Sequence, residues 1–235
     1  MIFFGVGRNS NDVFTNTQSH FGALINILLS SMFGSAQPAL FAIPEERPVF
    51  LREYSTDHYS AGAYFISKLS IEAFLTFLQI LVQCVITYFL IGFQTNFALY
   101  LAIAYALAMA STAIAVLLGC AVTDAKMAQE LVPLLFVPQL LFSGFFVAIQ
   151  LLPSWLQWVQ YICSLTYSVR LGLLAEFGEC ASGNDVAAQN CRSVLTNVNA
   201  NEEDKWLYWV VLIALFVVMR LGALLVLKRK ATSFY

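Results

Sequence analysis

Charged side chains are scarce in this sequence. The 12 Lys and Arg and the 14 Asp and Glu residues make up 11% of the 235-residue chain, whereas 60% of the residues are hydrophobic and the mean hydropathy is +0.74. A domain that folds in water needs more polar side chains than this to cover its surface. The composition therefore excludes a soluble globular domain and predicts a membrane protein.

Catalytic and nucleotide-binding motifs are also missing from the sequence. It contains no G-x-S-x-G and no H-E-x-x-H motif, and its two histidines, His20 and His58, are widely separated. We therefore expect neither an intramembrane hydrolase nor a histidine metal site. No G-x-x-x-x-G-K-[ST] loop is present to bind phosphates. If the protein uses ATP, the nucleotide must bind to another domain.

Long tracts without charge take up most of the chain. Residues 73–123 and 131–169 contain no Lys, Arg, Asp or Glu, and neither do residues 13–44. Roughly 20 apolar residues cross a bilayer core as a helix, so the tract 73–123 is long enough for two spans. The segments lack the alternation of barrel strands, which favours helices. The prediction is an all-α polytopic membrane protein with about five transmembrane helices, at 18–43, 64–91, 97–122, 127–149 and 207–227.

The remaining segments differ in composition. Residues 150–174 are apolar and aromatic but contain Pro153, which is typical of helices that lie at or dip into a membrane surface, so we predict a re-entrant outer helical pair there. Residues 175–204 are polar and are predicted to form an extracellular loop. Residues 44–62 are predicted to form a cytoplasmic loop, and residues 1–7 resemble the end of a missing first helix.

Basic residues near the span ends predict the orientation. Lys228, Arg229 and Lys230 directly follow the last predicted span, which places the C-terminus in the cytoplasm. Counting spans backwards then puts the loop 175–204 outside the cell.

Two cysteines fall in this predicted outer loop. Its oxidising compartment and the spacing favour a disulfide between Cys180 and Cys191. Cys163 is left over, either as a free thiol or as an exchange partner for one of the loop cysteines.

Four charged residues fall inside predicted spans. Lys68 and Glu72 are four residues apart, and Glu130 and Arg220 lie at a similar depth on other helices. A charge at such depth must be paired or must reach the interface. We predict an intramembrane polar network of Lys68, Glu72, Glu130 and Arg220. The long side chains of Lys68 and Arg220 are expected to extend to the interface, and Arg220 is the expected cationic partner of Glu72 and Glu130. The network could be a relay between the cytoplasmic loop and a cavity, or static packing.

The predicted cytoplasmic loop contains a recognisable pattern. It fits E-x-x-x-F-x-x-E-Y followed by a further tyrosine, at Glu46, Phe50, Glu53, Tyr54 and Tyr59. This resembles the first intracellular loop of G-subfamily ABC transporters, the white and multidrug-resistance half-transporters. Three further segments resemble the same family in the same order: A-Y-F-I-S-K at 63–68, L-F-S-G-F-F-V at 141–147 and L-P-S-W-L-Q-W-V-Q-Y at 152–161.

The resemblance implies the membrane domain of an ATP-driven exporter. It would move lipophilic substrates (lipid, sterol or xenobiotic) by alternating access and would work as a homo- or heterodimer in a lipid membrane, most simply the plasma membrane. ATP and Mg²⁺ would bind to a nucleotide-binding domain in cis or in trans, and no cofactor and no nucleic acid would bind to this chain. The alternative is a non-transporting scaffold or a degenerate truncated subunit.

The resemblance also implies roles for individual residues. Coupling to the nucleotide-binding domain would involve Glu46, Arg47, Phe50, Arg52, Glu53, Tyr54 and Tyr59. Because two spans of the family face the dimer axis, the substrate cavity would be lined by Phe33, Phe136, Val137, Leu140 and Leu141. Phe145 and Phe146, at the outer end of the fourth predicted span, would form an apolar outer gate.

Overall fold

The computed structural model describes residues 13–55, 61–122, 125–143, 157–181 and 186–232. These residues form seven α-helices and one short 3₁₀ helix and contain no β-strand, which confirms the all-α prediction. In chain order the elements are α1 (Val13–Ser55), α2 (Ala61–Ile91), α3 (Phe97–Ala121), α4 (Ala125–Phe142), the 3₁₀ helix (Gln157–Tyr161), α5 (Ser164–Ala181), α6 (Val186–Asn197) and α7 (Lys205–Thr232).

Four of these helices are long and apolar enough to cross a membrane. The candidate spans are Ser19–Glu46 in α1, Gly62–Ile91 in α2, Phe97–Ala121 in α3 and Lys205–Arg229 in α7. Each lies within a few residues of a predicted span. The chain is therefore a multi-pass membrane protein.

The predicted span 127–149 is not among these candidates. Its helix, α4, carries Lys126 and Glu130 and ends at Phe142, after 18 residues. Residues 144–149 lie outside the described part of the chain.

Helix α3 occupies the centre of the bundle. Its small residues Ala104, Ala108, Ala115 and Gly119 recur at spacings of four or seven residues, and all of them are buried. Small side chains let membrane helices approach closely, which increases van der Waals packing where lipid removes the hydrophobic driving force. A Cβ atom on Gly119 would lie only 2.8 Å from the carbonyl oxygen of Leu40 in α1. The backbones of α1 and α3 are therefore in close contact.

Helices α2 and α7 form the periphery. Large apolar side chains cover their outer faces and are exposed to the surroundings, as at Phe74, Val82, Phe89, Val210 and Val218. Apolar surface of this extent would be unfavourable in water but suits contact with lipid chains. These apolar outer faces are therefore suited to contact with membrane lipid.

Two predicted loop segments are helical in the structure. Helix α1 continues beyond its candidate span to Ser55, so the first part of the predicted loop 44–62 extends the span. Residues 56–60 lie outside the described part of the chain. At the other end, α5 runs from Ser164 to Ala181 across the predicted boundary between 174 and 175, and α6 lies within the predicted loop 175–204.

Candidate functional site

The antiparallel spans give the bundle two distinct ends. At one end α1 leaves its span, α2 begins and α3 finishes, because Tyr64 contacts Glu46 and Gly119 packs against Leu40. Lys228 and Arg229 are also the last two residues of the α7 span. We call this the basic end. The opposite end carries the 92–96 turn, the 3₁₀ helix, α5 and α6, and we call it the loop end.

Glu46 connects α1 to α2 at the basic end. Tyr64 Oη donates a hydrogen bond of 2.8 Å to Glu46 Oε2, and Lys68 Nζ forms an ion pair with Glu46 Oε1. Tyr64 and Lys68 are four residues apart on α2 and therefore lie on one face of that helix. The residue at which the predicted coupling segment begins is thus attached to the adjacent span.

One helical turn deeper, Glu72 of α2 pairs with Arg220 of α7. Arg220 Nη1 donates to Glu72 Oε2 at 3.1 Å, and Nη2 contacts Oε1, so the guanidinium holds the carboxylate with two donors. Arg220 Nη2 also lies 3.1 Å from Thr112 Oγ1 on α3. Arg220 is buried and Glu72 is mostly buried, with 7% and 14% of their side chains exposed. Three spans therefore meet at one buried ion pair.

These two groups of contacts lie one helical turn apart along α2. Lys68 and Glu72 are four residues apart on α2, and both line a cavity of about 10 Å³ that Arg220 also borders. This volume holds about one water molecule. Arg220 Nε is buried and has no hydrogen-bond partner among the described residues, so a water there would have a donor to bind. We call the two groups together the polar seam, and its members are Glu46, Tyr64, Lys68, Glu72, Arg220 and Thr112.

The polar seam differs from the predicted network in its membership. Glu72 pairs with Arg220 as predicted, whereas Lys68, which was expected to extend to the interface, pairs with Glu46. Glu130 on α4 is exposed and makes no hydrogen bond or ion pair with any described residue, so the structure does not bring it to Arg220. Thr112 was not predicted, because a single threonine in an apolar helix resembles ordinary packing.

A second feature is a row of polar side chains on α1. Asn26, Ser30 and Gln37 are exposed and lie at spacings of four and seven residues, which places them on one face of the helix. Gln79 of α2 is also exposed beside this face, since a Cβ atom on Gly34 would lie 2.9 Å from Gln79 Nε2. We call Asn26, Ser30, Gln37 and Gln79 the polar stripe.

The polar stripe lies within candidate membrane spans, where lipid offers no hydrogen bonds. Exposed amides at this depth are expected to face a water-filled cavity or another protein surface. These residues were not predicted from the sequence. The polar residues at helical spacing in the tract 13–44 would have indicated a polar face on this span.

Helix α4 borders the polar stripe. The rings of Phe33 on α1 and Phe136 on α4 are 5.0 Å apart, and Phe136 is buried with 1% of its surface exposed. Val137 and Leu141 are 46% and 44% exposed, and Leu140 is partly buried against the core. Of the five predicted cavity residues, Val137 and Leu141 thus offer open apolar surface, whereas Phe136 lies behind it.

Comparison with known proteins decides the family. The family model described as ABC-2 type transporter matches residues 1–177. The chain belongs to the ABC-2 type transporter family. It is 31% identical over 221 residues to protein white of Drosophila melanogaster, covering 89% of this chain and 32% of that protein. It is 22% identical over 251 residues to ABC transporter G family member 1 of Dictyostelium discoideum, covering 99% of this chain and 31% of that protein.

A third relative comes from a vertebrate. The chain is 28% identical over 167 residues to the broad substrate specificity ATP-binding cassette transporter ABCG2 of Rattus norvegicus, covering 68% of this chain and 24% of that protein. These matches confirm the resemblance to a G-subfamily membrane domain. The ABC-2 membrane domain spans about a third or less of the length of these relatives.

Several family-derived predictions fall on residues that the structure does not describe. The backbone of 47–55 belongs to α1, but the side chains of the predicted coupling residues there lie outside the described part of the structure: Arg47, Phe50, Arg52, Glu53 and Tyr54. Tyr59 and the predicted gate residues Phe145 and Phe146 also lie outside the described residues. Their roles remain predictions.

The ABC-2 membrane domain carries a disulfide at its loop end. Cys180 at the end of α5 is bonded to Cys191 in α6, with their Cα atoms 6.1 Å apart. Arg192 Nε donates a 2.7 Å hydrogen bond to the carbonyl of Ala181 beside it. Cys84, Cys120 and Cys163 are buried and are not in disulfides. Among the described residues, no cluster of three His, Cys, Asp or Glu side chains could hold a metal ion.

The disulfide should contribute measurably to stability. Replacing Cys180 and Cys191 together by Ser is expected to lower the free energy of unfolding by roughly 2–4 kcal/mol, because the open chain gains conformational entropy when it unfolds. Thermal unfolding in lipid nanodiscs measures the change. Cys163→Ser leaves the disulfide intact and is the matched control. If neither the double substitution nor a reductant changes the melting temperature, the disulfide does not stabilise the domain.

Proposed function

We propose that this ABC-2 membrane domain forms half of the translocation pathway of an ATP-driven exporter. The observation that carries the proposal is the polar stripe, whose exposed amides lie within candidate membrane spans. Helix α4, which exposes Val137 and Leu141, packs on α1 through the contact of Phe136 with Phe33. A second copy or a homologous domain facing this surface would enclose a cavity between the two chains. A mixed lining of this kind suits lipophilic molecules that carry a few polar groups.

Substrate and partners follow from the same surface. A lipid, a sterol or a lipophilic xenobiotic would occupy the cavity, and the exporter would work as a homo- or heterodimer in the plasma membrane. Lys228 and Arg229 favour a cytoplasmic C-terminus. The rat relative is named for its broad substrate specificity, which supports a class of substrates and not one compound.

The polar seam would transmit the ATP-driven movement. Nucleotide-binding domains, in cis or in trans, would bind ATP and Mg²⁺ and press on the extension of α1 that leads to Ser55. Glu46 would pass that movement to α2 through Tyr64 and Lys68, and the Glu72–Arg220 pair would pass it to α7. Packed helices joined by buried ion pairs shift together, which is how a movement at one end could open or close a cavity further along the spans.

Reconstitution tests the proposed transport. The complete polypeptide, assembled with its nucleotide-binding domains in proteoliposomes, is expected to accumulate fluorescent lipid or sterol analogues when ATP is added. Vanadate, which traps ABC ATPases, should stop the accumulation. If the assembled protein binds and hydrolyses ATP but moves none of a panel of lipophilic compounds, the scaffold alternative is favoured.

Glu46 provides a specific test of coupling. Glu46→Gln removes the charge that pairs with Lys68, so substrate-stimulated ATP hydrolysis is expected to fall about fivefold or more while basal hydrolysis persists. Glu45→Gln is the matched control, because Glu45 is exposed and adjacent in sequence. Equal stimulation in the two variants would show that the seam does not couple the domains.

A further inference from the structure

Helix α5 carries two buried charged side chains that the proposed pathway does not use. The first is Glu176, whose side chain is 4% exposed. Its Oε1 lies 3.4 Å from His20 Nδ1 on α1 and accepts a 3.2 Å hydrogen bond from the backbone N–H of Gln94. Its Oε2 accepts a 3.2 Å hydrogen bond from the backbone N–H of Thr95. One carboxylate therefore joins α5 to α1 and to the turn between α2 and α3.

The surroundings of Glu176 keep it ionised. Burial acts to raise the pKa of Glu176, but hydrogen bonds from His20, Gln94 and Thr95 outweigh it, so the pKa lies below the usual 4.5. From the elements packed around it, the nearby ionisable groups are His20 on α1 and Tyr100 on α3. Neither places a negative charge beside Glu176 at neutral pH. The carboxylate is therefore in its stronger hydrogen-bonding form.

The second buried charge is Arg170. Its Nε donates a 3.0 Å hydrogen bond to the carbonyl of Val198 after α6, and Nη2 lies 3.4 Å from Gln160 Oε1 in the 3₁₀ helix. Its guanidinium carbon also lies 5.6 Å from the ring centroid of Tyr208 on α7, within the range of a cation–π contact. No carboxylate among the described residues pairs with Arg170. It joins α5 to the 3₁₀ helix, to the residue that follows α6 and to α7.

The first turn of α5 is attached as well. Ser164 Oγ donates to Gln139 Oε1 at 3.2 Å, and Thr166 Oγ1 donates to the carbonyl of Phe142 at 3.1 Å, both on α4. Further along, a Cβ atom on Gly172 would lie 3.0 Å from Leu24 Cδ2 of α1. Every described element at the loop end therefore contacts α5 directly.

We propose that Glu176 and Arg170 are positioning residues that hold α5 to the elements packed around it, so that the loop-end half of the domain moves as one rigid body. Glu176 holds α5 to α1 and to the turn between α2 and α3. Arg170 holds it to the 3₁₀ helix, to the residue after α6 and to α7. Separating α5 from either group of elements would leave a buried charge without its hydrogen bonds, so the two residues lock α5 in place. Outward opening then occurs between the two copies of the dimer, and α5 does not swing away as a lid. The location of the opening rests on the proposed function, whereas the lock itself does not.

Amide exchange tests the Glu176 lock without any transport activity. In nanodiscs, Glu176→Gln is expected to speed hydrogen exchange at the amides of Gln94 and Thr95 by about tenfold, because a neutral acceptor binds them more weakly. Glu202→Gln, an exposed acid in the same half, is the matched control and should leave these amides unchanged. Equal exchange in wild type and Glu176→Gln at neutral pH would overturn the lock.

Acid should remove the difference between wild type and Glu176→Gln. Because the pKa of Glu176 is lowered on folding, its contribution is present above 4.5 and is lost as the pH falls through the folded value. The exchange rates of the two proteins are therefore expected to converge below pH 4.5. A purely steric role for Glu176 would leave the difference independent of pH, and that result would also overturn the proposal.

The Arg170 lock has its own amide signature. The N–H groups of Ile162 and Cys163 donate hydrogen bonds to the carbonyls of Val159 and Gln160 in the 3₁₀ helix. Arg170→Met removes the contact with Gln160 and is therefore expected to speed hydrogen exchange at these two amides. Unchanged exchange at these two amides would remove Arg170 from the lock.

A disulfide between α1 and α5 tests where the protein opens. Leu24→Cys with Gly172→Cys places two thiols at the close contact, and Cys84, Cys120 and Cys163 are changed to Ala. If α5 is locked, the oxidised complete transporter should move substrate as fast as the reduced form. Transport by the reduced form alone would show that α5 swings and would overturn the proposal. If neither form transports although ATP is hydrolysed, the proposed function fails, and amide exchange still decides the lock.

Discussion

Replacing Arg220 by Met is expected to destabilise the domain by about 3–5 kcal/mol, since the substitution leaves the Glu72 carboxylate buried without a cation. The pair is bidentate and mostly withdrawn from the surroundings, with 7% and 14% of the two side chains exposed. The adjoining cavity of about 10 Å³ holds only about one water, which cannot replace the donors that the guanidinium supplies. The free energy of unfolding in mixed detergent–lipid micelles, followed by circular dichroism, measures the loss.

Removing both partners should cost much less than removing one. The double substitution Glu72→Leu with Arg220→Met is expected to recover most of the lost stability, because apolar residues of similar size can replace a buried ion pair without a large penalty. Glu130→Gln is the matched control, since Glu130 is exposed on α4, and should change stability by less than about 0.5 kcal/mol. A double variant as unstable as Arg220→Met would show that lost packing, and not the unpaired charge, causes the defect.

The double variant also separates stability from function. If the Glu72–Arg220 pair only holds the helices together, the restored protein should couple ATP hydrolysis to substrate transport normally. If it belongs to a relay, the restored protein should be stable but uncoupled. The sequence leaves these two readings open, and this variant distinguishes them.

Making the polar stripe apolar should abolish most transport. Asn26→Leu with Gln37→Leu removes two exposed amides from α1 while retaining helix-compatible side chains, so insertion and folding are expected to persist. A lipophilic molecule that carries polar groups would lose their hydrogen-bonding partners in the cavity. The initial rate of ATP-dependent transport in proteoliposomes is expected to fall about tenfold or more.

A change of similar chemistry elsewhere controls for hydrophobicity. Ser70→Leu also makes an exposed polar site in a span apolar, but it lies on α2 and outside the polar stripe. Its transport rate should match that of the wild type. Normal transport by the Asn26→Leu, Gln37→Leu protein would mean that the polar stripe does not line the pathway.

The charged residues illustrate how far sequence reasoning reaches. Lys68 and Glu72 are neighbours on one helical face, and their depth correctly indicates that they need partners. Arg220 on α7 is the partner that the sequence predicts for Glu72, whereas Glu46 on α1, the partner of Lys68, was not predicted. The α1–α2 hairpin brings Glu46 beside Lys68, and the rotation of α7 directs Arg220 towards Glu72. Helical periodicity describes each helix separately and contains no information about these rotations.

Helix α5 shows a different kind of failure. The sequence prediction divided this helix, because it placed Arg170 in the apolar re-entrant segment 150–174 and Glu176 in the polar outer loop 175–204. In the structure both charges are buried, because backbone groups of a turn and of the residue after α6 supply their hydrogen bonds. Backbone donors and acceptors are invisible in a sequence pattern, since every residue type provides them.

The sequence by itself determined that the protein lies in a membrane, and it determined the fold class, four of the spans and the family. Lipid cannot satisfy backbone or charged groups, so uncharged tracts of sufficient length must form spanning helices, and composition alone records this constraint. The tertiary structure decided which charges pair, which face of α1 stays open and how α5 is attached. Those features depend on the relative rotation and depth of helices that are distant in the chain, and small residues such as Gly119 set them through how closely the backbones approach.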